Sequence, residues 1–167
     1  MLELDVIAVL KSGNYPIRGE NPVVELCNTI FKVHRDKKSM EGKKILMIED
    51  DTCFLEVMQY FLQMENCQFT GLTQTEDIVP LVQSTKPDLV LLDYLLPDTN
   101  GGDLCNKLRK CQDFEHLPIV LISAYPEKQL QLDGIPFSVF IPKPFDLWYL
   151  LACMEKLLGH RFDTAAA

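Results

Sequence analysis

The stretch from Asp88 to Gly101, DLVLLDYLLPDTNG, decides the fold of this chain. It has four consecutive apolar residues (89–92), then the carboxylate of Asp93, then several turn-forming residues. A short apolar run bounded by turn signals is typical of a strand buried on both faces of a parallel sheet. Ligands of open α/β sheets bind beyond the carboxyl ends of the strands, so Asp93 is a candidate reactive group. Taken alone, it is equally an ordinary aspartate at the start of a loop.

Similar patterns alternate along the chain on both sides of this stretch. Further buried strands are predicted at 45–48, 67–72, 118–122 and 138–141. Apolar residues recur at helical spacing in 54–64, 76–85, 102–111 and 147–158. The segment 126–132 has too little periodicity to predict a helix. Five strands that alternate with helices predict an α/β fold, with a parallel sheet covered on both faces and right-handed crossovers.

Composition limits the classes of function. The chain has 167 residues, 47% of them hydrophobic, which is enough for one domain with a substantial core and an appendage. A formal net charge of −8 argues against a binder of nucleic acid backbones, so no direct nucleic acid partner is expected. No apolar run approaches about 18 residues, so no membrane segment is expected. Six cysteines lack a CxxC pair, and most lie in apolar surroundings, which predicts that most are buried, reduced thiols. Neither a disulfide framework nor a zinc site is expected, which favours a cytoplasmic location.

Residues 1–39 differ in charge from the remainder of the chain. They carry six basic and five acidic residues, a net charge of about +1, which leaves about −9 for the rest. Asn21-Pro22 is typical of a helix start, and apolar residues at helical spacing follow it. Three alternatives remain open for this N-terminal extension: an amphipathic helix docked on the main domain or on a partner, a flexible segment, or translated sequence upstream of a natural start at Met40.

Polar side chains with related chemistry follow four of the predicted strands. Glu49 and Asp50 follow the first strand, and the others that follow later strands are Asp93, Ser123 and Lys143. Because parallel strands end at the same edge of a sheet, these groups are expected to form one site. Clustered carboxylates repel one another unless a cation lies among them, and hard oxygen ligands suit Mg²⁺.

The same groups are suited to phosphoryl transfer. An aspartate can attack phosphorus to form an acyl phosphate, and Mg²⁺ neutralises charge on the phosphoryl oxygens. A lysine ammonium can bind one phosphoryl oxygen and a serine hydroxyl can donate to another. The site therefore contains the groups needed to phosphorylate a carboxylate. Asp51, one residue beyond the acid pair, is interpreted as the N-cap of the following helix.

The chain resembles the receiver domains of two-component response regulators from about Lys43 to Leu158. Four motifs carry the resemblance, in the order and approximate spacing that the family uses: KKILMIEDD, LVLLDYLLPDTNGGDL, PIVLISA and FIPKPF. The resemblance implies a flavodoxin-like (βα)5 three-layer sandwich whose five-stranded parallel sheet has the order 2-1-3-4-5.

The resemblance also implies a role for each site residue. Asp93 is the phosphoacceptor, and Asp50, Asp93 and the backbone carbonyl of Leu95 bind Mg²⁺. Glu49 acts through water bound to the metal, at a position where many relatives have aspartate.

Three further positions match the family. Ser123 matches the hydroxyl that binds the phosphoryl oxygen, and Lys143 matches the lysine that pairs with it. Phe140 lies at the position of the switch aromatic. Two turns match as well, at Pro97 with Gly101 and at Lys143-Pro144, a peptide that is often cis in the family.

The sequence departs from the family pattern after Ser123. The stretch Asp133-Gly134-Ile135-Pro136 replaces the usual turn into the fifth strand, and the spacing to Lys143 is about two residues shorter. The helix that this family has between its fourth and fifth strands, its fourth helix, is therefore in question. So is the face that the fourth helix, fifth strand and fifth helix form in that family, where phosphorylation is read out.

We expect a receiver domain at 40–159, with a tail at 160–167 that is too short for a DNA-binding or enzymatic output domain. A sensor histidine kinase or phosphotransfer protein would phosphorylate Asp93, and a downstream protein partner would bind the readout face. Three alternatives remain: a phosphorelay intermediate that passes the group to another histidine, an unphosphorylated interaction scaffold, and a Mg²⁺-dependent phosphatase with an aspartyl-phosphate intermediate. Leu95, where such a phosphatase has a second acid, argues against the last of these.

Overall fold

The computed structural model describes residues 40–130 and 132–159. Within them lies one parallel sheet of five strands, in the order β2-β1-β3-β4-β5. The strands are β1 (Lys44–Ile48), β2 (Gln68–Leu72), β3 (Leu89–Asp93), β4 (Ile119–Ser123) and β5 (Val139–Pro142). The predicted fold and strand order are confirmed. The predicted helix beginning at Asn21 and the tail at 160–167 lie outside the described residues.

Four α-helices connect or follow the strands. They are α1 (Thr52–Met64), α2 (Ile78–Thr85), α3 (Gly101–Arg109) and α4 (Leu147–Gly159). Helix α2 begins two residues later than the sequence pattern predicts, because the Asp77 side chain caps it by accepting from the Val79 N–H. Pro80 then occupies the first turn, where a missing N–H leaves no helical hydrogen bond unmade. None of the described helices is long and apolar enough to cross a bilayer.

The central strands of the sheet are buried on both faces, as their apolar residues predict, whereas β2 and β5 at its edges are largely half-buried or exposed. All five residues of β3 and all five of β4 are buried. Helices α2 and α3 cover one face with Ile78, Val82, Leu104, Cys105 and Leu108. On the other side, α1 and α4 contact each other through the edge-to-face pair of Phe61 and Trp148. Burying a large apolar side chain stabilises the fold by about 1.5–3 kcal/mol, so these two layers fix the sheet in place.

The cysteines only partly match the prediction that most of them are buried. Cys67 and Cys105 are buried, and burial raises the pKa of their thiols to about 11 and about 12. Cys53 is exposed, and Cys111 and Cys153 are half-buried. The remaining one, Cys27, lies outside the described residues.

The β4 to β5 connection differs from the other crossovers. Its described residues, which exclude Gln131, form a single 3-10 turn (Glu127–Gln129) and no α-helix. Arg109 at the end of α3 fastens this region. Its guanidinium donates to the backbone carbonyls of Phe114 (2.6 Å), Leu117 (2.8 Å) and Pro136 (3.1 Å). One side chain therefore holds the chain before β4 and the chain before β5 against α3.

Two glycines at the start of α3 allow close packing on both sides. A Cβ at Gly101 would lie 2.5 Å from the backbone carbonyl oxygen of Asp93 and 2.8 Å from Leu121 Cδ1. A Cβ at Gly102 would lie 2.6 Å from Cδ1 of Ile135, which precedes β5. Helix α3 is thus packed between the end of β3 and the segment that leads into β5.

We predict that alanine at these two positions affects stability differently. Gly101→Ala should lower the free energy of unfolding by about 1–3 kcal/mol, because its Cβ meets the backbone of Asp93. Gly102→Ala should be nearly neutral, because the Ile135 side chain can rotate away and alanine favours a helix by up to about 1 kcal/mol over glycine. Urea unfolding of both variants measures the difference, and equal losses would contradict the packing described above.

Candidate functional site

The carboxyl ends of four strands meet at one edge of the sheet. Strand register aligns Ile48 with Leu92, Asp93 with Ile122, and Ser123 with Pro142. The residues at or just beyond these ends are Glu49, Asp50, Asp93, Ser123 and Lys143. The predicted site residues are therefore at the same edge.

Lys143 joins two carboxylates from different strand ends. Its Nζ lies 2.6 Å from Glu49 Oε2, 2.9 Å from Glu49 Oε1 and 2.7 Å from Asp93 Oδ2. The backbone N–H of Lys143 donates to the Ser123 carbonyl at 2.6 Å, which fixes where the side chain begins. The Lys143–Pro144 peptide is cis. The Lys143 side chain is 24% exposed, against 1% for Glu49 and 8% for Asp93. The Lys143 side chain is thus more accessible to solvent than the two acids that it binds.

Burial and neighbouring charges shift the pKa values of Glu49 and Lys143. The pKa of Glu49 is raised from 4.5 to about 7 as the net result of opposing effects: burial raises it most, the hydrogen bond and charge of Lys143 lower it, and the nearby Asp93 raises it. Burial alone would lower the pKa of Lys143, but its hydrogen bonds and charge interactions with Asp93 and Glu49 raise it above the usual value. Lys143 therefore stays charged at neutral pH, where Glu49 titrates.

The loop after β3 holds the second oxygen of Asp93. The backbone N–H of Leu95 donates to Asp93 Oδ1 at 2.9 Å. The loop closes through the Gly101 N–H, which donates to the Tyr94 carbonyl at 2.9 Å, and through a β-bridge between Leu95 and Asn100. Leu95 itself is exposed, with 43% of its surface accessible to solvent. The proposed metal contact of the Leu95 carbonyl stays a prediction.

The two aspartates after Glu49 have different environments. Asp51 is the N-cap of α1, because its Oδ1 accepts from the Phe54 N–H at 3.1 Å. The predicted capping role of Asp51 is confirmed. Asp50 is exposed and contributes to the acid cluster at the edge of the sheet.

Three carboxylates form a cluster that fits a hard divalent cation. Glu49, Asp50 and Asp93 each offer one oxygen, and the three oxygens lie within 4.8 Å of one another. Two of these acids are buried and the third faces solvent, so a bound cation would keep room for water, as Mg²⁺ requires. The single ammonium of Lys143 only partly offsets the charge of three carboxylates. The donor set therefore fits Mg²⁺.

Ser123 ends β4 and Phe140 lies within β5. Ser123 is fully buried, and its Oγ accepts from the Tyr125 N–H at 3.1 Å. Because this oxygen accepts, the hydroxyl proton remains available for another acceptor. Phe140 is half-buried on β5, with its ring centroid 6.4 Å from that of Phe137.

One residue of the site was not anticipated from the sequence. The ring of Phe54 lies with its centroid 5.0 Å from Lys143 Nζ. Sequence patterning places Phe54 only among the apolar positions of α1. No sequence signal links it to the lysine that follows β5, since the contact exists only after α1 packs beside the end of that strand.

Comparison with known proteins identifies the class to which this fold and site belong. A family model described as the response regulator receiver domain matches residues 45–155. This chain therefore belongs to the receiver-domain family of two-component signalling. Domains of this family are phosphoacceptor signalling domains that bind Mg²⁺ at an acidic site.

Individual relatives agree with this assignment. The chain is 31% identical over 126 residues to the uncharacterized transcriptional regulatory protein YbdJ of Bacillus subtilis, which covers 75% of this chain and 55% of that protein. It is 29% identical to the phosphate regulon transcriptional regulatory protein PhoB of Pseudomonas aeruginosa, over 71% of this chain and 53% of that one. The chain thus spans about half the length of the curated relatives it matches.

Among solved structures, the fold is similar to that of the response regulator TrrA from Thermotoga maritima in complex with Mg²⁺ and BeF. The TM-score is 0.61 at 25% sequence identity, and the match covers 69% of this chain and 98% of that chain.

The raised pKa of Glu49 predicts a pH dependence of stability in the presence of a chelator. Because the folded state holds this proton more tightly, the stabilisation is complete below pH 4.5 and is lost as the pH rises through about 7. Between about pH 5 and about pH 8, urea unfolding should show that the free energy of unfolding of the wild-type protein falls by about 2–3 kcal/mol. This fall should be missing in Glu49→Gln. The same pH dependence of stability in wild type and in Glu49→Gln would contradict this prediction.

Proposed function

We propose that residues 40–159 form a receiver domain that accepts a phosphoryl group on Asp93. The donor is a phosphohistidine of a sensor histidine kinase or of a phosphotransfer protein. The observation that carries the proposal is the position of the Asp93 carboxylate, which lies 2.7 Å from Lys143 Nζ and within the cluster formed with Glu49 and Asp50. Family membership supplies the reaction class.

Asp93 acts as the nucleophile. One carboxylate oxygen forms a bond to phosphorus, the bond from phosphorus to the donor nitrogen breaks, and the electron pair of that bond returns to the imidazole. The Leu95 N–H, which donates to Asp93 Oδ1, holds the carboxylate in one orientation. An oriented nucleophile favours in-line attack, since less motion has to be frozen in the transition state.

Lys143 and Ser123 bind the transferred group. The Lys143 ammonium donates to Asp93 Oδ2 before reaction and would redirect that N–H to a phosphoryl oxygen. The Ser123 hydroxyl proton is available to a second phosphoryl oxygen, because its Oγ already accepts from Tyr125. Movement of Ser123 toward the phosphoryl group would free space for Phe140 to turn inward, as the family resemblance implies.

Glu49, Asp50, Asp93 and the Leu95 carbonyl would hold Mg²⁺. When bound, the cation offsets the negative charge that builds up on the phosphoryl oxygens. Glu49 also holds Lys143 through both of its oxygens, so the ammonium remains beside the cluster while its contact with Asp93 changes.

The output that we propose is a change of affinity for a protein partner. Phosphorylation replaces the single negative charge of the Asp93 carboxylate with the roughly two negative charges of an acyl phosphate, and the added charge biases a two-state surface at the edge of the sheet. This surface would comprise β5, α4 and the segment between β4 and β5. The acidic balance of the chain supports a protein partner over direct nucleic acid binding by this domain. Catalysis would be limited to the domain's own phosphorylation and dephosphorylation.

Direct phosphorylation tests the central proposal. The protein is incubated with Mg²⁺ and acetyl phosphate, and intact mass should show one added phosphoryl group. Asp93→Asn should remain unmodified, because an amide is not a nucleophile toward phosphorus. Omitting Mg²⁺ should slow the reaction strongly, since the charge on the phosphoryl oxygens is then not neutralised.

Two outcomes would overturn the proposal. One is an unmodified wild-type protein, and the other is modification that persists in Asp93→Asn. Continuous release of phosphate from many unrelated monoesters would instead favour the phosphatase alternative.

Leu95 predicts a long-lived phosphorylated state. Leu95 is exposed two residues after Asp93, its backbone N–H contacts the carboxylate, and its apolar side chain has no group that could hydrogen-bond an attacking water. Leu95→Asn should accelerate hydrolysis about five- to tenfold, which corresponds to about 1–1.4 kcal/mol of barrier. Loss of the phosphoryl group is followed by mass after the donor is removed. Val57→Asn, which changes an exposed apolar residue on α1, serves as the control, and rapid hydrolysis in wild type would refute the idea.

A further inference from the structure

The Lys143 ammonium has two kinds of neighbour. Three carboxylate oxygens of Glu49 and Asp93 accept its hydrogen bonds at 2.6–2.9 Å. The ring of Phe54 is a further neighbour, with its centroid 5.0 Å from Nζ. We propose that Phe54 is a positioning residue for Lys143, and through it for the phosphoryl group. This inference rests on the proposed phosphorylation of Asp93.

Two further contacts, one from the backbone and one from the ring, hold Phe54 in place. Phe54 lies in the first turn of α1, and its backbone N–H donates to the N-cap residue Asp51. Its ring packs edge-to-face on Phe145, with centroids 5.8 Å apart and an interplanar angle of 74°. Phe145 follows Lys143 by two residues, so the same short segment supplies the lysine and the aromatic support. The ring is therefore a fixed surface beside the ammonium.

An aromatic face suits a lysine that has to change partners. Its negative quadrupole attracts the ammonium without accepting one of the N–H groups. All three Lys143 donors thus remain available to Glu49, to Asp93 and, after transfer, to a phosphoryl oxygen. Water in the same place would compete for those donors.

This role differs from ordinary packing. A leucine at position 54 would fill much of the same volume and exclude water, but it has no quadrupole. Tyrosine keeps the ring face. A role in packing alone predicts that leucine and tyrosine behave alike, while the proposed role predicts that only leucine impairs binding of the phosphoryl group.

The test compares wild type, Phe54→Tyr and Phe54→Leu at a temperature at which urea unfolding shows all of them to be folded. Rate constants of Asp93 phosphorylation are measured against acetyl phosphate concentration at saturating Mg²⁺. Phe54→Leu should lower the rate at saturating donor by about three- to tenfold, and Phe54→Tyr should stay within about twofold of wild type. The affinity for beryllofluoride, which occupies the position of the phosphoryl group, should fall in the same order.

Phe61→Leu is the matched control. Phe61 lies on the same helix and packs edge-to-face on Trp148, the single tryptophan of the chain. This variant should lose stability while the folded protein reacts at the wild-type rate. Equal rates in Phe54→Leu and wild type, or equal losses in Phe54→Leu and Phe54→Tyr, would overturn the inference. A wild-type protein that is not phosphorylated at all would instead overturn the proposed function.

Discussion

The site depends on one ammonium placed between two carboxylates that are almost fully buried. Glu49 and Asp93 end neighbouring strands, and without Lys143 their charges would repel each other in a medium that screens poorly. Removing one member of such a group leaves an uncompensated charge, so the three residues form a single unit. Burying these charged groups costs folding free energy, and burial is accordingly the largest of the effects that together raise the pKa of Glu49 to about 7. The apolar strands and helices beneath them provide the stability that offsets this cost.

Strand register brings this unit together. β1, β3 and β4 are buried on both faces, and a shift of one residue would exchange the side chains that face α2 and α3 for those that face away. The apolar layers therefore determine that Asp93 aligns with Ile122 and that Ser123 aligns with Pro142. Packing in the core thus positions the acidic, hydroxyl and ammonium groups at the edge of the sheet.

Much of this arrangement follows from sequence patterns. Short apolar runs predict the buried strands, and the polar residue after each run predicts the shared edge, including Asp50, Asp93 and Lys143. The start of α2 was predicted too early, because apolar spacing does not reveal which acid caps the helix. The contact of Phe54 with Lys143 was not predicted, because it depends on the packing of α1 beside the end of β5. Arg109 was missed for a similar reason, since its acceptors are backbone carbonyls, which leave no residue-specific pattern.

The β4 to β5 connection shows how a crossover can be secured without an α-helix among its described residues. Ile135 packs against Gly102 in the first turn of α3, and Arg109 at the other end of that helix binds the Pro136 carbonyl. Phe137, the next residue, packs its ring against Phe140. Since Gly101 lies directly against the Asp93 carbonyl, α3 contacts both the reactive strand end and the segment before Phe140. An inward turn of Phe140 would therefore have to move a segment that is fastened to α3, so the stiffness of that helix would limit how far such a change can spread.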